Sequence, residues 1–300
     1  MKYVIDSGQP LVIYPAGLMC EDGLSTPIPS ATYKFLKWLG VDIYVARTYG
    51  SYFVMPKWTK GMRAGRTFID IYKLIDKNEL AQLDLSTIQQ LTDEALLYDA
   101  YREQDHNPQH YAKNSDINGL EEVLYQCPHC GEEFSMTIVQ NNTLFCYACG
   151  YEERCDEYGL LHKESDFGPE IRYVSDWSRH IHDKLKKEIQ RNPEISLSSE
   201  CTFRMISKGK PKFEDVGSGR ITLQNGSFHV EGTMNGAIVD FQVSVGNVPT
   251  LPFSPGKHLE IQDGGDIYRC VLKDGKLVMK FINTVKIFYE LRCADLVCEK

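Results

Sequence analysis

The chain has 300 residues, 42% of them hydrophobic and 25% charged, with a formal net charge of −8. That balance describes an ordinary soluble chain able to bury a core, spread over two or three domains. It argues against nucleic acid as a partner, and no apolar run is long enough to cross a membrane. The start, Met1 to Asp6, lacks the long apolar core of a signal peptide. The 10 cysteines are too sparse for a disulfide scaffold. Six of them, Cys20, Cys155, Cys201, Cys270, Cys293 and Cys298, are scattered, which fits a reducing compartment and a cytoplasmic location.

In chain order, Leu11-Val12-Ile13-Tyr14 reads as a short buried strand entering a loop at Pro15-Ala16-Gly17. Ser30 is placed to cap a helix over Ala31 to Leu39 that stops at Gly40. Val41 to Ala46 and Arg66 to Lys73 are rich in strand formers. Ser86-x-x-Gln89 matches a capping box, after which Ile88, Leu91, Ala95 and Tyr98 recur at helical spacing. Strands alternating with helices predict a mainly parallel sheet. The polar stretch His106 to His110 marks a boundary.

Cys127-Pro128-His129-Cys130-Gly131 and Cys146-Tyr147-Ala148-Cys149-Gly150 are two C-x-x-C pairs separated by 15 residues, the spacing of a zinc ribbon. Each pair can present two thiolates to one metal, and together they make a closed S₄ set, which predicts a structural rather than a catalytic Zn²⁺. Between them, Glu133 to Val139 and Thr143 to Phe145 read as hairpin arms about an Asn141-Asn142 turn. His129 is expected to be an exposed knuckle side chain. Around the ribbon Glu121, Glu122, Glu132, Glu133, Glu152, Glu153, Asp156 and Glu157 face a single Arg154, the reverse of a nucleic-acid-binding ribbon.

Trp177 to Arg191 is a helix carrying Arg179, Lys184, Lys186, Lys187 and Arg191, read chiefly as a solvated basic face. Asn192-Pro193 ends it. From about Cys201 short strands dominate. Asn225-Gly226 signals a hairpin, with further strands at Val239 to Val245, His258 to Ile261 and Ile267 to Leu272. Val278, Phe281, Val285 and Tyr289 then share one helical face. Short strands closed by a terminal helix resemble a pleckstrin-homology-like barrel. The expected organisation is an α/β unit over 1–104, the ribbon over 105–160, a linker with the basic helix over 161–197, and an all-β domain over 198–300.

Residues 10 to 80, led by Leu11-Val12-Ile13-Tyr14-Pro15-Ala16-Gly17-Leu18-Met19-Cys20-Glu21-Asp22-Gly23, resemble the second half of a bacterial lysophospholipid (1-acyl-glycerol-3-phosphate) acyltransferase domain. Gly50-Ser51-Tyr52, Pro56-Lys57-Trp58, Gly119 to Tyr125 and Asp156 to Gly159 extend the likeness to members with a C-terminal zinc ribbon. The resemblance implies a glycerolipid acyltransferase, with Gly17 in the acceptor-phosphate motif. It also implies peripheral attachment to anionic phospholipid at the inner face of a membrane. Lys57, Lys60, Arg63 and Arg66, with the interleaved Trp58, are candidates to hold an anionic headgroup; a solvated loop is the other reading of that stretch. No His-x-x-x-x-Asp stands ahead of Leu11, where the family carries it; among the 8 histidines only His258 has an Asp five residues on, Asp263, and that pair lies in the C-terminal all-β stretch. Ala16 stands where the motif has Glu and Met19 where it has Arg, so no catalytic residue is assigned. The expected function is therefore the catalytically incomplete part of such an enzyme. The alternative is a non-catalytic ribbon-and-barrel protein that docks a protein partner, through its C-terminal domain, or a lipid surface.

Overall fold

The computed structural model describes residues 2–111, 116–206 and 212–298. Helices α1 (Lys2–Asp6) and α2 (Ala31–Leu39) precede strand β1 (Ile43–Tyr49) and the short α3 (Ser51–Val54). Strand β2 (Phe68–Ile75) is followed by α4 (Lys77–Gln82), α5 (Leu85–Leu96) and α6 (Ala100–His106). The ribbon consists of β3 (Met136–Val139), β4 (Thr143–Cys146), β5 (Glu152–Cys155) and β6 (Leu161–Lys163). Helix α7 (Val174–Arg191) leads to β7 (Ser196–Ile206), β8 (Phe213–Gln224), β9 (Ser227–Met234) and β10 (Ala237–Ser244). Strands β11 (Phe253–Ser254), β12 (His258–Asp263) and β13 (Asp266–Leu272) and helix α8 (Leu277–Cys298) complete the fold. The side chain of Cys298 lies outside the described residues.

The protein is thus mixed α/β, and its recorded strand pairings are antiparallel. The predicted mainly parallel sheet is not formed: β1 pairs antiparallel with β2, from Tyr49↔Phe68 back to Ile43↔Ile75. A parallel pair needs a crossover that spans a sheet face, and the only helix between these strands is the four-residue α3. Nor is Leu11–Tyr14 a strand; it is irregular and unpaired, with Val12 75% and Tyr14 84% exposed. Pro10 and Pro15 bracket that run, and neither can donate to a ladder. The α2 helix is where its sequence puts it, ending at Gly40 in the left-handed region, though the Ser30 side chain makes no cap. The α5 cap is Asp84, whose carboxylate accepts from the Thr87 amide, and not Ser86. Asp is as good a cap as Ser and sits two residues earlier, so the helix starts there.

Among the described residues, hairpin turns take positive φ, mostly at Asn and Gly. The ribbon turn is Gln140-Asn141 (φ 52° and 64°), one residue earlier than the sequence suggested, and Asn225-Gly226 (φ 49° and 69°) joins β8 to β9. The last seven strands form one sheet in the order β10-β9-β8-β7-β13-β12-β11. Its inner face carries Phe203, Ile221, Leu223, Phe228, Val230, Leu259 and Ile261, all fully buried. Helix α8 covers that face with Val278, Phe281, Ile282 and Val285, and the Phe228 and Phe281 rings stack 5.8 Å apart.

Helix α7 lies at the centre. Val174, Trp177, Ile181, Leu185 and Ile189 recur every three or four residues and are buried. The Trp177 indole donates to the Gln126 carbonyl at 2.9 Å and meets Tyr151 edge-on, which fixes the helix against the ribbon one residue before Cys127. Ser178 donates to Asp22 at 2.7 Å, while Lys186 and His182 reach Glu290 of α8 at 2.7 and 2.9 Å. The basic face is consequently not all solvated: Arg179 pairs with Asp176 and Asp99, and Lys184 reaches the Gly131 carbonyl at 3.4 Å. One hydrophobic cluster runs from Tyr52 through the ribbon and Trp177 to Val285. No helix among the described residues is long and apolar enough to cross a membrane.

Candidate metal centre

The two knuckles are built by their glycines. Gly131 and Gly150 sit at φ 79° and 77°. From there their amides close back on the Cys127 and Cys146 carbonyls at 3.0 and 2.8 Å. A residue with a Cβ would be strained in that conformation. Strand β3 pairs with β4 so that Met136 faces Cys146, which brings the second knuckle over the first. The Sγ atoms of Cys127, Cys130, Cys146 and Cys149 all lie within 4.8 Å of one another. Two of the edges, Cys127–Cys149 and Cys130–Cys146, measure 3.7 and 3.8 Å. A tetrahedron with metal–sulfur bonds of about 2.3 Å has edges of about 3.8 Å, so the cage already has the dimensions of a thiolate-bound ion.

One of the four donors is held toward the thiolate, while burial raises the Cys127 and Cys149 thiols. The Ser135 hydroxyl lies 3.3 Å from the Cys146 sulfur. Burial acts to raise the Cys146 thiol, but Ser135 and the amides of Cys149 and Ala148 overcome it and hold it down at about 7. A thiol poised there is ready to bind as thiolate. His129 is exposed and outside the cluster, its ring 4.9 Å from that of Phe167. Four protein sulfurs leave no open position, so the cage can hold an ion but cannot offer it to a substrate.

The remaining predicted site residues fall elsewhere. Lys57, Trp58, Lys60 and Arg63 line one cavity of about 490 Å³. Its opposite wall brings Ser254 to Lys257, the turn between β11 and β12, and Asp116, Glu121 and Glu122. Lys257 is a cation that sequence order could not associate with Lys57. Gly17 is not part of the lining; it is an exposed turn glycine whose amide bonds the Tyr14 carbonyl. Trp58 is only 9% exposed, its indole donates to the Tyr52 hydroxyl at 3.2 Å, and the Arg63 guanidinium lies 5.1 Å above its ring.

Behind the cavity lies a buried charge network that local sequence did not reveal. Glu21 pairs with Lys286 of α8, and Asp22 beside it accepts from Ser178 and from the Leu24 amide. Burial acts to raise Glu21, and Lys286 and Lys57 outweigh it, leaving the carboxyl below its ordinary range. Burial and the neighbouring Glu21 hold Asp22 above its own. Lys57 is the second counter-charge. Its ammonium meets the Met19 carbonyl at 3.2 Å and lies 3.3 Å from the Phe253 ring centre, and burial pulls it down to about 8. Burial likewise pushes the Cys20 thiol up to about 12, so it is no nucleophile.

Two outcomes are expected of the ribbon. Metal analysis of the purified protein should find about one ion per chain, and Cys146→Ser should lower both that content and the unfolding free energy, the latter by at least about 3 kcal/mol. Full occupancy with unchanged stability in the variant would contradict the site. The second outcome concerns Glu153, fully buried, whose Oε1 accepts from Tyr151 while Oε2 has no partner. Burial raises its carboxyl from 4.5 to about 7. The folded state therefore holds this proton more tightly than the unfolded state, and its contribution to stability falls as pH rises from 4.5 to about 7. Glu153→Gln should gain on the parent over that window, by on the order of 2–3 kcal/mol at pH 8. Thermal melts at pH 5 and pH 8 that show no pH-dependent difference between the two proteins would contradict it.

Comparison with protein-family models, with curated proteins and with solved structures gives no match to this chain.

Proposed function

We propose that this chain is the acceptor-side and accessory part of a glycerolipid acyltransferase-like protein, with structural Zn²⁺ in its ribbon and no catalytic base of its own. The observation that carries the reading is the convergence of Lys57, Lys60, Arg63 and Lys257 on one cavity beside Trp58. Clustered cations of this kind suit a phosphate or phosphodiester headgroup. Zn²⁺ fits an all-thiolate tetrahedral cage better than the hard oxygen-seeking cations do.

The family's base is a histidine, and the cavity lining holds the acids Asp116, Glu121 and Glu122 but no histidine. Deprotonating an acceptor hydroxyl requires a base within hydrogen-bond reach. Histidine–carboxylate pairs do exist, among them His162–Asp156 at 2.7 Å, His229–Asp240 at 2.8 Å, His182–Glu290 at 2.9 Å and the looser His258–Glu260 at 3.9 Å. None of these histidines lines the cavity. The alternative reading, a non-catalytic docking protein, is favoured by strand β10, which ends the large sheet and leaves Ile238 88% exposed.

Titration of the protein with sn-glycerol 3-phosphate separates the two readings. Binding should be salt-sensitive and should weaken about tenfold in Lys60→Ala and again in Lys257→Ala, since a charge-assisted contact is worth roughly 1.5–3 kcal/mol. With an acyl thioester and lysophosphatidic acid, turnover should be lower than that of a complete enzyme by at least about 10²-fold, the minimum usual contribution of a general base. No binding at all would favour the docking protein, and robust turnover would overturn the assignment of an incomplete site.

A further inference from the structure

The outer face of the large sheet carries an ordered row of charges. Its register sets Glu200 of β7 opposite Arg220 of β8, Arg220 opposite Glu231 of β9, and Glu231 opposite Asp240 of β10. Lys273, just after β13, extends the row by pairing with Glu200 at 2.7 Å. These five side chains line one open trough of about 970 Å³. From Lys273 the signs alternate strand by strand until β10, where Asp240 faces a second acid. Like charges directly opposite one another destabilise an antiparallel pair. Neither acid is neutralised within the row: Arg220 leans to Glu200, at 4.0 Å, and Glu231 forms no salt bridge among the described residues. Asp240 has His229 at 2.8 Å, a side chain that is no permanent cation.

Strand β10 is also where the sheet stops. The two-residue turn Asn235-Gly236 makes Met234↔Ala237 the closing hydrogen-bonded pair of the β9–β10 hairpin. The ladder to β9 therefore uses Ala237, Val239, Phe241 and Val243, and the main-chain groups of Ile238, Asp240 and Gln242 point away from the sheet. Among the described residues no other main-chain group bonds to them. The same three residues turn their side chains to the outer face, where Ile238 is 88% exposed, more than any other large apolar residue described. On the inner face Val239 and Phe241 are half-buried against the core, so the apolar layer continues to the edge.

We propose that β10 is the docking edge for an extended segment of a partner protein, added antiparallel, with a basic residue opposite Asp240 and apolar residues opposite Ile238 and Val239. This rests on the docking reading above and gives it an edge and a partner chemistry. It is separate from the headgroup cavity, which no residue of β10 lines. The cation restores the alternation that β10 breaks. Main-chain hydrogen bonds supply the affinity of such a strand, and its alternating side chains fix the register. Two copies of β10 paired in full register along 238–242 would set Asp240 against Asp240, so a second copy of this chain is not the occupant.

The probe is a fluorescein-labelled peptide, Thr-Val-Lys-Val-Ile-Thr, which places Lys opposite Asp240 and Ile opposite Ile238 when added antiparallel. Its anisotropy is titrated with the full chain. The parent should bind it saturably, and more weakly at high salt. Replacing the peptide's Lys by Glu should weaken binding at least about fivefold, and Asp240→Lys should reverse that preference. Gln242→Pro removes an outward amide without touching the β9 ladder, so it should melt as the parent does and bind the peptide at least about tenfold more weakly. Equal binding of the two peptides by the parent, or full binding by Gln242→Pro, overturns the docked strand. If circular dichroism shows Gln242→Pro to be misfolded, the charge swap at Asp240 is the deciding result. A parent that binds neither peptide nor sn-glycerol 3-phosphate overturns this edge and leaves the docking reading to another surface. One that binds sn-glycerol 3-phosphate but no peptide overturns the edge and the docking reading together.

Discussion

The structure depends on the burial of one face of α7. Its indole at Trp177 is fully buried and bonded to Gln126, beside the first metal-binding knuckle. From the same helix, Ser178 and Arg179 reach the N-terminal unit at Asp22 and Asp99, and His182 and Lys186 reach α8. An isolated helix of this length gains little from propensity alone, so its stability comes from these packed faces. Removing the central aromatic would leave a large cavity where three parts of the chain meet, a change that typically costs about 3–5 kcal/mol.

The ribbon and the charge network stabilise this arrangement by different physics. A bound ion would fix four sulfurs and both turns at once, and so order a hairpin too small to hold itself. Glu21 and Asp22 facing Lys57 and Lys286 is a buried set of two acids and two cations. Such a set adds little net stability over apolar packing, yet breaking one member leaves an uncompensated charge. Its effect is to specify: segment 20–24 can dock on α7 and α8 in one way only. Lys57 belongs to both this set and the cavity, so an anion bound there competes with Glu21 for the same ammonium.

What could be read from the sequence was local. The Cys pairs, the helix from Trp177 to Arg191 and Asn225-Gly226 each contain their own structural instruction within a few residues, and each forms as expected, although only the basic face of that helix was read and not the stripe it buries. The fold of the first hundred residues was harder, since direction of pairing depends on what the connection can span and not on strand propensity. Contacts between distant segments were not legible at all. Glu21 and Lys286 are 265 positions apart, and Lys257 joins Lys57 only because the β11–β12 turn folds against the 57–63 loop. Exposure was equally hidden: Trp58 looked like the apolar contact of that loop, and it is Met62 that is left outside.

The central claim is that the metal-ordered ribbon and α7 act as one scaffold for the cavity. Hydrogen exchange before and after chelation of the bound ion tests it most directly. The account predicts that amides of 127–150 and of α7 from Trp177 to Leu185 lose protection together, while β7 to β13 keep theirs. Loss confined to the two knuckles, with α7 as protected as before, would contradict it.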